Sequence, residues 1–350
     1  MSLNATQIEA LASEQAIASV VNYFYNREEV LTKHPLISSI FPEEYKSRSV
    51  IGGLETSLGT SLWEKLALEL ASLNKIVMHH PSNFKKITNL PDEITSLLNS
   101  TDLSARSSSI VDEFLDDAKK ISMKNANFKP KTAKMDKGHG ADLYFEISDK
   151  IYIVDIKTVQ WNAAGGEDFL KRMLKWASFA VFFHKTKNVN VKLVIPYNPF
   201  QTTWWQQSKK KAEPLWETDI LVGSNFWDLL TGLPHSYSFI EKGFKEILNH
   251  PAIEFLQNNY AKKIDENFQI DLICKYKNLI VKKWNRNSNG SSGLLELKCN
   301  SCKREFRARE SVILQQDYCP NHEKSHVTLG KFEELQQNRW YGLGMGAENQ

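Results

Sequence analysis

Cysteine is scarce in this 350-residue chain: there are four, and three of them sit close together near the C-terminus. So few thiols, so unevenly placed, exclude a disulfide-stapled scaffold. No apolar run approaches the roughly 20 residues that a bilayer-spanning helix needs. The N-terminal Met1-Ser2-Leu3-Asn4-Ala5-Thr6-Gln7-Ile8-Glu9 lacks the basic-then-apolar layout of a secretory signal, so no membrane partner and a cytoplasmic location are expected. Charge of one sign is missing too. Lys and Arg total 44 against 41 Asp and Glu, and the formal net charge of +3 is too small to mark a polyanion binder by bulk electrostatics. The basic residues are instead bunched, at Lys129 to Lys137, Lys209-Lys210-Lys211, Lys282-Lys283 with Arg286, and Lys303-Arg304 with Arg307 and Arg309. One such run is ordinarily a solvated face; four of them favour a polyanionic partner.

Hydrophobic content of 41% and charged content of 24% describe a globular chain with material for a large core. The first hundred residues read as mainly helical, with apolar spacing from Ile8 to Tyr25 and a strong helix over Leu62 to Leu73. Further helices are predicted over Asp112 to Ile121 and Glu167 to Phe183, and a strand over Val189 to Ile195. Helices are also predicted over Leu221 to Leu230, Ile240 to Leu248 and Ala252 to Ile264, with a change to short β-like segments from about Ile270. The middle of the chain thus reads as an α/β core with helices packed on a sheet. Domain boundaries are expected at 268/269 and 341/342, separating a helical N-terminal part plus core (1–268), a small β-rich module (269–341) and a tail (342–350).

The chemistry concentrates in two short strands, Asp142 to Ile147 and Ile151 to Lys157, joined by Ser148-Asp149-Lys150. The turn makes them a candidate hairpin. With Ser148-Asp149 as turn residues, Asp142 lies opposite Asp155; with Asp149-Lys150 it faces Lys157. Alternation puts Asp155 and Lys157 on one face in either case. Two carboxylates can hold a hard divalent cation that keeps several waters, and a lysine beside it can orient water and stabilise charge on a phosphate. Asp142, Asp155 and Lys157 therefore form a candidate phosphodiesterase site, with the Ile156 carbonyl a possible further metal ligand. Glu64, set off the polar stripe of Lys65, Glu69 and Ser72 in its helix, is a possible further catalytic carboxylate. The competing reading of the cluster is an internal ion pair on a sheet face.

A second pattern, Cys299-x-x-Cys302, sixteen residues, then Cys319-x-x-His322, has the spacing of a structural zinc site, with His326 as a fallback ligand. All four positions would be filled by protein. Lys303, Arg304, Arg307 and Arg309 beside it are candidate DNA contacts. Cys274 is left over and reads as a buried, inert thiol.

The acidic residue on one strand and Asp155-Ile156-Lys157 on the next resemble the PD-(D/E)XK nuclease superfamily, with Gly140-Ala141-Asp142 where that family often shows Pro-Asp. Four patches further resemble the TdeIII-like group of type II restriction endonucleases. They are Ser57-Leu58-Gly59-Thr60-Ser61-Leu62-Trp63-Glu64, Asp155-Ile156-Lys157-Thr158, Ile195-Pro196-Tyr197-Asn198-Pro199 and Asn225-Phe226-Trp227-Asp228-Leu229-Leu230. The resemblance implies a restriction-endonuclease-like core, a mixed central sheet flanked by helices; the cysteine pattern beyond it separately resembles a zinc ribbon, a small β-rich C-terminal module. It also implies Mg2+-dependent double-strand cleavage at a short, symmetric or nearly symmetric DNA site. The expected partners are double-stranded DNA, a second copy of the chain and a cognate DNA methyltransferase, in a bacterium or archaeon. Two alternatives stay open on sequence: a non-catalytic zinc-ribbon DNA-binding protein, and a nuclease of the same core acting on DNA junctions, lesions or RNA.

Overall fold

The structure is a computed structural model, and it describes residues 3–27, 42–104, 108–157, 165–260, 266–285 and 294–309. Their helices are α1 (Ala5–Asn26), α2 (Pro42–Ser61), α3 (Trp63–Leu73), α4 (Asp92–Ser100), α5 (Ile110–Lys124), α6 (Gly165–Phe183), α7 (Trp204–Ala212), α8 (Ser224–Thr231), α9 (Ser236–Glu246), α10 (Pro251–Asn259) and α11 (Glu266–Tyr276). The strands are β1 (Val77–His79), β2 (Lys86–Ile87), β3 (Thr132–Ala133), β4 (Leu143–Ile147), β5 (Lys150–Ile156), β6 (Asn188–Ile195), β7 (Ile220–Val222), β8 (Leu279–Asn285), β9 (Leu294–Cys299) and β10 (Glu305–Arg309). No helix among the described residues is long and apolar enough to cross a membrane.

The chain divides into two compact units, one of residues 1–8 with 63–239 and one of 9–62 with 240–350. The boundary expected at 268/269 falls instead inside α11.

In the first unit a mixed sheet runs β1-β4-β5-β6-β7. The β1–β4 and β4–β5 pairs are antiparallel, and the β5–β6 and β6–β7 pairs are parallel. Strict alternation buries both faces. Tyr144, Ile151, Ile153, Val191, Leu193 and Ile195 share a core with Phe114, Leu170, Leu174 and Trp176 of α5 and α6. Leu143, Phe145, Tyr152, Val154 and Val194 are buried on the other face. β-branched and aromatic side chains at period two account for the central strands. α6 begins at Gly165, two residues earlier than its amphipathic pattern. A Cβ on Gly166 would lie 2.4 Å from the Glu213 carbonyl oxygen, so only glycine admits the segment after α7 this close.

Three sequence expectations change. Ile220–Val222 is strand and not helix, because it pairs parallel with β6 before Gly223, at φ +51, turns the chain into α8. β1, too short to show alternation, goes unnoticed in the sequence. Residues 270–276, read as β-like, belong to α11.

In the second unit α11 buries Phe268, Leu272, Ile273 and Tyr276 in a core with Val21 and Phe24 of α1, Leu256 of α10, and Leu295 and Leu297 of β9. The antiparallel sheet there runs β10-β9-β8. Cys274 is 1% exposed in this core, and burial pushes its thiol up to about 12, as an inert thiol requires.

Candidate active site

The hairpin adopts the first of the two registers. Leu143 pairs with Val154 and Ile147 with Lys150, leaving Ser148 and Asp149 as the turn. Ser148 takes φ +56, the left-handed conformation that a two-residue hairpin demands. One step beyond the last pair, the Asp142 N–H donates to the Val154 carbonyl at 2.9 Å. Its carboxylate accepts from the Ile156 N–H at 2.7 Å. The acidic residue on the first strand is thereby pinned across from Asp155.

Asp155 and Lys157 share a face as expected, at the end of β5 where the apolar residues of that face run out. Asp155 is 3% exposed, among buried neighbours. Lys157 Nζ donates to Asp155 Oδ1 at 2.6 Å and to the Ile156 carbonyl at 3.3 Å, and lies 3.9 Å from Asp142 Oδ2. A buried carboxylate left alone would be costly, so its partners explain how it is tolerated. Sequence reasoning missed the second of them. Arg172, on α6, donates from Nη1 to Asp155 Oδ2 at 3.2 Å. A basic residue in an amphipathic helix gives no sign of which strand it will meet.

The carboxyls of Asp142 and Asp155 both approach Lys157 Nζ, at 3.9 and 2.6 Å. Burial first, and then the charge of Asp155, push Asp142 up to about 8. Glu64, in the first turn of α3, joins the same electrostatic cluster. Burial lifts its carboxyl to about 7, against the pull of the Lys157 ammonium and with a further push from Asp155. Three acids gather here, two of them raised toward neutrality, an arrangement that can hold positive charge or a proton. Among the described residues no three His, Cys, Asp or Glu side chains close on one point as metal ligands. The donor set on offer is the Asp142–Asp155 pair with the Ile156 carbonyl, which leaves most positions of an octahedral ion to water.

Residues from three of the sequence patches that carried the resemblance meet in this unit. Trp63, next to Glu64, stacks on Tyr197 with ring centroids 5.6 Å apart and lies 6.1 Å from Trp227. The Trp227 indole N–H donates to the Pro196 carbonyl at 2.7 Å. These contacts fix the start of α3, and so Glu64, against the end of β6.

The other candidate site residues that the structure describes lie in the second unit. Cys299 and Cys302 flank a turn in which the Lys303 N–H donates to the Cys299 carbonyl at 3.0 Å and the Cys299 N–H to the Arg304 carbonyl at 2.9 Å. Lys303 there takes φ +61. The expected ligands Cys319, His322 and the fallback His326 lie outside the described residues. Lys303, Arg304 and Arg307 are exposed; Lys303 donates to Asn300 at 3.0 Å and Arg307 pairs with Glu296 at 2.8 Å. Arg309 closes β10, and its side chain lies outside the described set.

A family model described as "Type II restriction endonuclease, HinfI" matches residues 5–248. No curated protein and no solved structure matches the chain significantly. The matched family is the HinfI family where the sequence patches suggested the TdeIII-like group; a type II restriction endonuclease is common to both. The match takes in α3, the hairpin and α6, and it covers well over half of the chain. Enzymes of this kind act on double-stranded DNA and generally use Mg2+. The chain belongs to the HinfI family of type II restriction endonucleases, site-specific deoxyribonucleases.

Proposed function

We propose that this enzyme cuts both strands of DNA at a short, symmetric or nearly symmetric sequence, with Asp142, Asp155 and the Ile156 carbonyl holding Mg2+ and Lys157 beside them. The observation that carries this reading is the adjoining carboxylate pair, in which burial and then the Asp155 charge push Asp142 up to about 8. Hard oxygen donors under that electrostatic pressure suit a hard divalent cation. When bound, Mg2+ supplies neutralisation of the scissile phosphate and a more acidic water. Asp155, gripped by Lys157 and Arg172, presents its carboxylate in one orientation. The Lys157 ammonium orients the attacking water and stabilises charge developing on the phosphoryl oxygens. Glu64, lifted to about 7, can exchange a proton near neutral pH and is the group suited to relay one from that water.

A symmetric target is read most simply by two copies of the chain on a two-fold axis, so a homodimer is the expected assembly. A DNA methyltransferase of the same specificity would protect the host. In the second unit, exposed Lys303, Arg304 and Arg307 and the adjoining Arg309 supply cations for backbone phosphates. The tight Cys299–Cys302 turn supports a structural Zn2+ completed by Cys319 and His322. The test is digestion of unmodified plasmid and phage DNA with Mg2+ and with EDTA. Discrete fragments in Mg2+ alone are expected. A smear would remove the sequence specificity, and intact DNA in Mg2+ would overturn the reading.

A further inference from the structure

Asp155 is almost wholly buried, and each of its oxygens has its own cation: Lys157 Nζ on Oδ1 at 2.6 Å and Arg172 Nη1 on Oδ2 at 3.2 Å. The two cations come from different elements. Lys157 lies two residues after Asp155, just past the end of β5, whereas Arg172 reaches it from α6. A carboxylate held from two sides cannot turn about its terminal torsion without losing one partner.

Phe169, one helical turn before Arg172, braces both cations: the Arg172 guanidinium carbon lies 5.9 Å from its ring centroid and Lys157 Nζ 5.8 Å. The helix that carries these residues is tied in turn to the loop leading into Asp142, because the Trp176 indole N–H donates to the His139 carbonyl at 2.9 Å. α6 therefore registers both acids of the pair.

We infer that Arg172 is a positioning residue of this active site, which fixes the Asp155 carboxylate and, as a permanent positive charge beside it, sets how tightly the carboxylate pair takes a divalent ion. The inference rests on the metal-site reading above. A guanidinium stays charged at any working pH, so its influence is constant. Removing it has two opposed consequences. The pair becomes more negative, and a divalent ion binds more tightly in the absence of DNA. Asp155 also loses its second anchor, and turnover suffers.

The test measures Mn2+ affinity of the DNA-free protein by electron paramagnetic resonance, alongside cleavage kinetics, in Arg172→Gln, Arg172→Lys and Asp155→Ala. Arg172→Gln is expected to bind Mn2+ about three- to tenfold more tightly, since a like charge beside the pair has gone. Its kcat is expected to fall about 10- to 100-fold with KM for DNA little changed, as misplacement of a site group does. Arg172→Lys keeps the charge but not the fork, and should restore native Mn2+ affinity and most, not all, of the rate. Native kcat with native Mn2+ affinity in Arg172→Gln would overturn the inference. So would weakened Mn2+ binding there, the mark of a merely structural role. If Arg172→Gln does not fold, Arg172→Lys decides, and a rate equal to native would overturn the inference. Asp155→Ala separates the two failures. If it binds Mn2+ and cuts like the native enzyme, the metal-site reading is wrong; if it is inactive while Arg172→Gln is unchanged, only the role of Arg172 is wrong.

Discussion

Replacing Asp142 by Asn should stabilise the metal-free enzyme at alkaline pH, although it removes a residue of the site. Burial and the neighbouring Asp155 charge push the Asp142 carboxyl up to about 8. Between its ordinary value near 4 and that raised value, the folded protein holds a proton that the unfolded chain has lost. Stability therefore falls as pH rises through this window, and the full cost is present above about pH 8. The free-energy equivalent of the whole rise is about 6 kcal/mol. The side chain keeps 26% of its exposure, and solvent screening reduces the figure to about 3 kcal/mol. Asn carries no charge, and its carbonyl oxygen can still accept the Ile156 N–H. In EDTA, Asp142→Asn should match the native enzyme near pH 4 and unfold about 5–10 °C higher at pH 9. Thermal and urea unfolding across that range measure it. Added Mg2+ should raise the native enzyme toward the variant, by binding only the folded form. Parallel pH profiles for the two proteins would refute the reasoning.

Three further outcomes follow from the geometry. His184 is bonded to the Tyr144 hydroxyl, and burial, with His79 and Lys187 nearby, drives it down to about 4. The unfolded chain takes up a proton between about pH 6.5 and 4 that the fold refuses, so stability is lost as pH drops through that window; His184→Gln should flatten that loss by about 1–2 kcal/mol after solvent screening, read from urea midpoints. Trp227→Phe leaves the Pro196 carbonyl without its donor and should cost about 1–3 kcal/mol by equilibrium unfolding. Glu64→Gln should lower the cleavage rate about 10- to 1000-fold while leaving DNA affinity in Ca2+ nearly unchanged, a split seen by comparing single-turnover rates with gel shifts.

The two-strand core of the site was legible because its information is local. Period-two alternation puts Asp155 and Lys157 on one face, and a three-residue polar break can only be a turn. The choice of register was not legible, since it hangs on Ser148 accepting a left-handed backbone. Glu64 could be singled out as a carboxylate off its helix's polar stripe, but its partners, some ninety positions further along the chain, are set by how α3 packs. Arg172 gave no signal at all, because any amphipathic helix carries basic residues on its flank. β7 was read as helix because three apolar residues preceding a helix extend the helical pattern; its parallel partner β6 decides the matter. The second unit brings α1 together with α10, α11 and β9 from far along the chain, contacts that composition does not register.

The most direct test of the account is the cleavage rate of Asp155→Ala, measured beside its affinity for the same duplex. The account predicts at least about a thousandfold loss of Mg2+-dependent cleavage, with DNA affinity kept within severalfold, because the carboxylate acts on the reaction and not on recognition. Cleavage at a rate near that of the native enzyme would contradict it.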